Sequence, residues 1–203
     1  EDANINTDKI YFVIKKLYEI GEIEKAYNLV SKINLETANI DKQNLQFFYL
    51  IKLNYLFSSY KLSEACNLRL ILLEKSINLP KNLLQKSDIF CLTLENKFSE
   101  AKLLNSLLTE SETSKDENFQ KLFNFMLLNE NTNSFIPLAK IKSKDLVFLY
   151  SAMLRINELP LDKDFIEVDP LNLSIPVILS ESTSMDIRIK AAHRAYEDDL
   201  ISI

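Results

Sequence analysis

The sequence has no tryptophan, one histidine and, among 203 residues, a single glycine. Sheet proteins need glycine at hairpin turns, and phosphate-binding loops need it where backbone must approach a ligand closely. With Gly21 alone, neither a dinucleotide-binding fingerprint nor a P-loop can be written. A zinc site or a nucleophilic triad normally asks for more than the lone His193 provides, and that residue reads as a surface or partly packed side chain. The pairs Asp162/Asp164 and Asp198-Asp199 have nothing near them in sequence that would lodge a carboxylate in an apolar pocket. They read as solvated surface, and neither a metal nor a cofactor is expected. No apolar run approaches the roughly 20 residues of a membrane span. The net charge is −5, with lysines scattered among glutamates. Phosphate binding needs a concentrated basic face, so nucleic acid is not an expected partner.

What remains is a composition of 47% hydrophobic and 26% charged residues. That is ordinary for a soluble globular chain long enough for one substantial domain. The sequence opens Glu1-Asp2-Ala3, without methionine. Removal of a targeting segment and trimming of the chain both fit, so cytoplasmic and exported or periplasmic locations stay open.

One pattern organises the chain. Gly21-Glu22-Ile23-Glu24-Lys25-Ala26 returns as Tyr60-Lys61-Leu62-Ser63-Glu64-Ala65 and again as Asn96-Lys97-Phe98-Ser99-Glu100-Ala101. The alanines lie 39 and 36 residues apart. Twelve residues before them stand Ile14, Leu53 and Ile89, and nine before stand Leu17, Leu56 and Leu92. Three after stand Leu29, Leu68 and Leu104, and seven after stand Ile33, Leu72 and Leu108. The spacing is helical, so each unit reads as a helix, a tight turn and a second helix. The alanine lets the two helices approach closely. One such hairpin cannot bury its apolar face alone, so neighbours are expected to stack.

Over residues 7–110 this pattern resembles the tetratricopeptide repeat, whose unit runs about 34 residues. The alanine, the apolar residue three before it and the leucine nine before it are in place, and Gly21 also fits. The chain departs from the family at Ile14, Leu53 and Ile89, where a second small residue is usual. It also lacks the closing proline and has a longer period. The resemblance implies an all-α solenoid of stacked antiparallel hairpins over residues 1–158, with an irregular helical cap over 159–203. The alternative is an irregular helical bundle whose hairpins resemble one another by chance.

In chain order, Thr7 or Asp8 is expected to cap a helix running to Ile20, followed by a second helix ending at Ile33. Asp41 is the expected cap of the next, Lys42 to Ser59, which is apolar on most of its surface and so reads as buried between neighbours. Its partner, Leu62 to Ser76, is equally apolar at Leu68, Leu70, Ile71, Leu72 and Leu73. A third pair spans Lys81–Glu95 and Phe98–Thr109. Further helices are expected over 116–128, 144–157, 162–168 and 171–180, with the last from Met185, capped by Ser182 or Ser184, to Ile201. Ala139, with Ile136 three before it, marks a degenerate fourth unit interrupted by Pro137.

Folding helices 62–76 and 82–96 antiparallel about Leu79 sets Cys66 and Cys91 at nearly equal height. Two readings stand: a disulfide, which would imply an oxidising compartment, or two buried thiols acting as small hydrophobes.

The resemblance also implies a surface. In tetratricopeptide stacks the first helix of each hairpin lines a concave groove that holds a partner peptide. Matched through the alanines, the lining positions are Asp8, Tyr11, Lys15 and Tyr18, then Phe47, Leu50, Asn54 and Phe57, then Leu83, Lys86, Phe90 and Thr93. Aromatics carry much of the energy at interfaces, and the lysines suit an acidic segment. The alternative is that a short superhelix buries these aromatics against its next unit or the C-terminal helices. Three functions follow: a non-enzymatic scaffold or adaptor gripping a partner segment in that groove, a structural or accessory subunit of a larger assembly, or a helical-toroid enzyme acting through carboxylates.

Overall fold

The structure is a computed structural model, which describes residues 7–35, 40–111, 115–128, 138–141 and 144–202. Among these there is no β-strand. The helices are α1 (Thr7–Glu19), α2 (Ile23–Ser31), α3 (Lys42–Ser58), α4 (Leu62–Glu74), α5 (Leu83–Leu94), α6 (Phe98–Ser111), α7 (Glu117–Leu128), α8 (Lys144–Ile156), α9 (Lys163–Val168), α10 (Pro170–Leu179) and α11 (Met185–Glu197). A 3-10 turn, Pro80–Asn82, leads into α5.

The repeated sequence has a repeated backbone. Gly21, Tyr60 and Asn96 all adopt left-handed conformations, with φ of 93°, 58° and 60°. Their amides donate to the carbonyls of Tyr18, Phe57 and Thr93 at 3.1 Å. The next amides, of Glu22, Lys61 and Lys97, reach back to Leu17, Leu56 and Leu92 at 2.8 Å. This pair of bonds is the Schellman closure, which satisfies carbonyls that the helix end would leave unpaired. Each following helix then starts at once, and Ala26, Ala65 and Ala101 are fully buried. The same closure ends α4 at Ser76, α8 at Glu158 and α11 at Asp199.

Only the first of the three corners is glycine, and the cause lies far along the chain. A Cβ on Gly21 would stand 2.5 Å from Cδ1 of Leu171. The first turn of α10 rests on this corner, and Asn172 Nδ2 donates to the Gly21 carbonyl at 2.8 Å.

Consecutive helices from α1 to α6 pack against one another. The centre belongs to α8, whose residues Leu146 to Leu154 are all buried. A helix buried all round must have neighbours on every side, and α8 packs on α3, α5, α7, α9 and the 3-10 turn. Each large apolar side chain buried there contributes about 1.5–3 kcal/mol. The helices α9, α10 and α11 pack on one another, α9 also against α8 and α10 also against α3.

Several local expectations are corrected. Thr7 and Asp8 stand inside α1 and do not precede it. The helix α2 stops at Ser31, because the Lys32 and Ile33 amides bond back only three residues. The last helix ends at Glu197, since Asp199 turns left-handed and closes it. Ala139 is exposed and outside any helix, so no fourth corner forms there. Its amide and carbonyl are both held by the Asn118 side chain, at 2.8 and 2.9 Å. Ile136 and Pro137 lie outside the described residues. Asp41 does cap α3, accepting from the amides of Gln43 and Asn44 at 3.0 Å.

Candidate functional site

The face expected to hold a partner is turned inward. Phe57 and Phe90 are fully buried against each other, with ring centroids 6.0 Å apart. Asn54, Leu83 and Thr93 are buried, Leu50 likewise, and the Thr93 hydroxyl donates to its own helix at Ile89. Asn54 donates to the Tyr18 hydroxyl at 2.8 Å. Burial, ahead of the opposing pull of that hydrogen bond, pushes the Tyr18 phenol up to about 12.

Lys86 is 2% exposed. Its ammonium lies 2.9 Å from Asp116 Oδ2 and over the Phe119 ring. Asp116 also accepts from the Tyr150 hydroxyl at 2.6 Å and the Phe119 amide at 3.1 Å. Burial alone would raise that carboxyl, but these three donors outweigh it and hold it below the usual carboxylate range. The lysine expected to meet a partner's acid therefore meets the chain's own. Toward the N-terminus the face is more open: Tyr11 and Phe47 are half-buried in edge contact at 5.7 Å, and Lys15 is exposed beside Glu19. The side chain of Asp8 lies outside the described residues. A partner has no access to Asn54, Phe57, Lys86, Phe90 and Thr93 in this arrangement, so the expected groove is corrected: α7 and α8 pack where the partner segment was placed.

The open apolar surface is on the opposite helices of the hairpins. Leu70 and Leu73 of α4 and Leu103 and Leu107 of α6 are exposed, Leu103 by 61% and Leu107 by 53%. Between these helices is a groove of about 380 Å³, lined by Leu73, Ile89, Leu104, Leu107 and Leu108, with Asp88, Gln85 and Ser111 as its polar members. Its floor is α5, which packs on both α4 and α6. By its sequence α4 is as apolar as α3, yet its buried residues Ala65, Leu68, Arg69 and Leu72 form a single stripe. The available signal was its apolar run Leu70-Ile71-Leu72-Leu73, of which only Leu72 is buried.

Two ties hold the α4 wall to the α5 floor. Cys66 and Cys91 are joined by a disulfide, with Cα atoms 5.5 Å apart. Arg69, 2% exposed, reaches Asp88 at 3.0 Å and Glu95 at 2.5 Å. Burial raises the Asp88 carboxyl and exceeds the opposing pull of Arg69. The exposed acids Glu74 and Glu110 adjoin lining residues in sequence.

His193 is exposed on α11. No helix among the described residues is long and apolar enough to cross a membrane. Compared with protein-family models, curated proteins and solved structures, the chain matches none.

Proposed function

We propose that the protein is a non-enzymatic docking module: a stack of tetratricopeptide-like helical hairpins, its hollow occupied by α8, that grips a partner by its outer α4–α6 groove. The hairpin-stack reading rests on three corners of one backbone geometry and on packing of consecutive helices. The docking reading rests on one observation, the exposed leucines bordering an apolar groove. Soluble proteins rarely leave such surface uncovered, and clustered exposed apolar side chains mark interaction sites. A groove between two helices suits the apolar face of a third. Asp88 in the lining and Glu74 and Glu110 beside it favour basic residues on that helix. The partner is therefore an amphipathic helix of another protein with lysine or arginine flanking its apolar stripe.

The test uses two amphipathic peptides with the same leucine face, one lysine-rich and one glutamate-rich, titrated by fluorescence anisotropy. The lysine-rich peptide should bind and the glutamate-rich one should not. Leu107→Glu, a change at an exposed position, should weaken binding at least about tenfold while the melting temperature holds. Equal binding of the two peptides, or indifference to Leu107→Glu, would overturn the reading. So would a wild-type dimer that Leu107→Glu disperses, because the occupant would then be a second copy.

A subunit of a larger assembly is the second reading. It is favoured by further exposed apolar side chains elsewhere, among them Phe12 and Ile20 of the first hairpin and Met185, Ile189 and Tyr196 along α11.

A further inference from the structure

A second cleft lies between the corner at Tyr60 and the helix α10, and its chemistry differs from that of the α4–α6 groove. It consists of two adjoining hollows of about 330 and 370 Å³, and Arg155, Pro176 and Leu179 line both. Arg155 projects from the last turn of α8 into their junction. Its guanidinium carbon is 4.2 Å from the centroid of the Tyr60 ring. One nitrogen donates to the Ser58 carbonyl at 3.3 Å. Among the described residues no carboxylate pairs with it and no other acceptor meets its remaining N–H groups. A guanidinium carries five donors in a planar fork. Here one face is stacked on an aromatic ring, one donor is used, and the rest of the fork borders open space.

A half-buried cation without an anion is a costly arrangement, relieved when a matched carboxylate arrives. Burial, only partly offset by the Tyr60 phenol, lowers the pKa of this guanidinium from its usual value. That is the signature of a desolvated cation that still lacks its counter-ion. The walls decide what accompanies the anion. Leu171, Ile175, Pro176 and Leu179 present apolar surface from α10. Glu158 and Glu181 border one hollow and Glu24 the other, so a second negative charge on the ligand would be repelled.

We propose that this cleft binds a ligand with a single carboxylate next to an apolar group, and that Arg155 is the residue that pairs with the carboxylate. The C-terminal residue of a peptide and a free aliphatic monocarboxylate share this chemistry. The stacking on Tyr60 pre-orients the fork, so Lys, a point charge without the planar geometry, is a poor substitute.

The experiment follows the Nε–Hε resonance of Arg155 and measures affinity by calorimetry in the wild-type protein. The probes are acetyl-Ala-Ala-Leu with a free carboxylate, the same peptide as its C-terminal amide, and hexanoate. The acid should shift the Arg155 resonance and bind at least about tenfold more tightly than the amide, as loss of a charge-assisted hydrogen bond requires. Arg155→Lys should reduce the acid's affinity several-fold without unfolding the protein. Hexanoate matching the peptide acid would assign a free monocarboxylate, and a peptide at least tenfold tighter would assign a chain terminus. Both outcomes support the site. Equal affinity of acid and amide, or an Arg155 resonance unmoved by every probe, would overturn it and leave Arg155 as a structural strut between Tyr60 and Ser58. Because the wild-type protein is the main sample, misfolding of a variant cannot be mistaken for loss of binding.

Discussion

Replacing Gly21 by alanine should cost far more than the same replacement at the equivalent corner residue Asn96. At φ of 93° an L-residue is strained, and the left-handed region costs a residue with a Cβ about 1–2 kcal/mol. The new methyl would stand 2.5 Å from Leu171 Cδ1, 3.2 Å from its Cβ and 3.3 Å from its Cγ. Rotating the end of the leucine relieves only the first of these contacts. The α10 turn must also shift, and overpacking of that kind adds about 1–3 kcal/mol. The two contributions together come to about 2–5 kcal/mol, a large share of the 5–15 kcal/mol that usually holds a domain folded. Asn96 is exposed and already left-handed at φ of 60°, so Asn96→Ala should move stability by less than about 1 kcal/mol. Urea unfolding followed by far-ultraviolet circular dichroism measures both. Leu171→Ala in the Gly21→Ala background removes the Cδ1 and Cγ contacts but keeps Cβ, so it should return most of the steric part and leave the backbone strain, a coupling readable in a double-mutant cycle. If Gly21→Ala costs no more than Asn96→Ala, or if Leu171→Ala brings no relief, α10 does not rest on the first corner and the packing of the C-terminal helices described above is wrong.

The other predictions concern the disulfide and one phenol. The Cys66–Cys91 bond spans a sequence separation of 25, for which loop-closure entropy gives about 3.5 kcal/mol; the Cys66→Ala/Cys91→Ala variant should lose a comparable amount in urea unfolding. Two thiols reacting with a maleimide under denaturing, non-reducing conditions would show that the bond is not there, and with it would go the argument for an oxidising compartment. Tyr18 holds its phenol proton up to about 12, whereas the unfolded chain releases it near 10. The folded state thus binds the extra proton across that interval, and stability that is complete below about pH 10 should fall toward pH 12, by an amount of the order of 2 kcal/mol. Tyr18→Phe should flatten this alkaline limb, and an unchanged alkaline denaturation profile would contradict the burial of Tyr18.

Much of the local architecture was legible in the residues themselves. The corner alanines and the Asp41 cap depend on hydrogen bonds and backbone preferences within about six residues. A sequence carries that information in its spacing. The placement of Cys66 and Cys91 at one height also followed from antiparallel geometry alone. The helical faces were less legible. The helices α3, α4 and α5 are apolar over most of their circumference, and a period of 3.6 residues then no longer says which side meets which neighbour.

By itself, then, the sequence determined that this chain is helical, where its three repeated corners fall and which small residues stand at them. Only the tertiary structure decided what lies on each face. It put α8 against the aromatics of α3 and α5, gave Lys86 an internal acid, set Leu171 over the lone glycine and left the leucines of α4 and α6 uncovered. The physical reason is range: turns and caps close within one helical turn of chain, whereas burial is settled by groups that meet across long stretches of sequence, such as the Asn172 side chain and the Gly21 carbonyl.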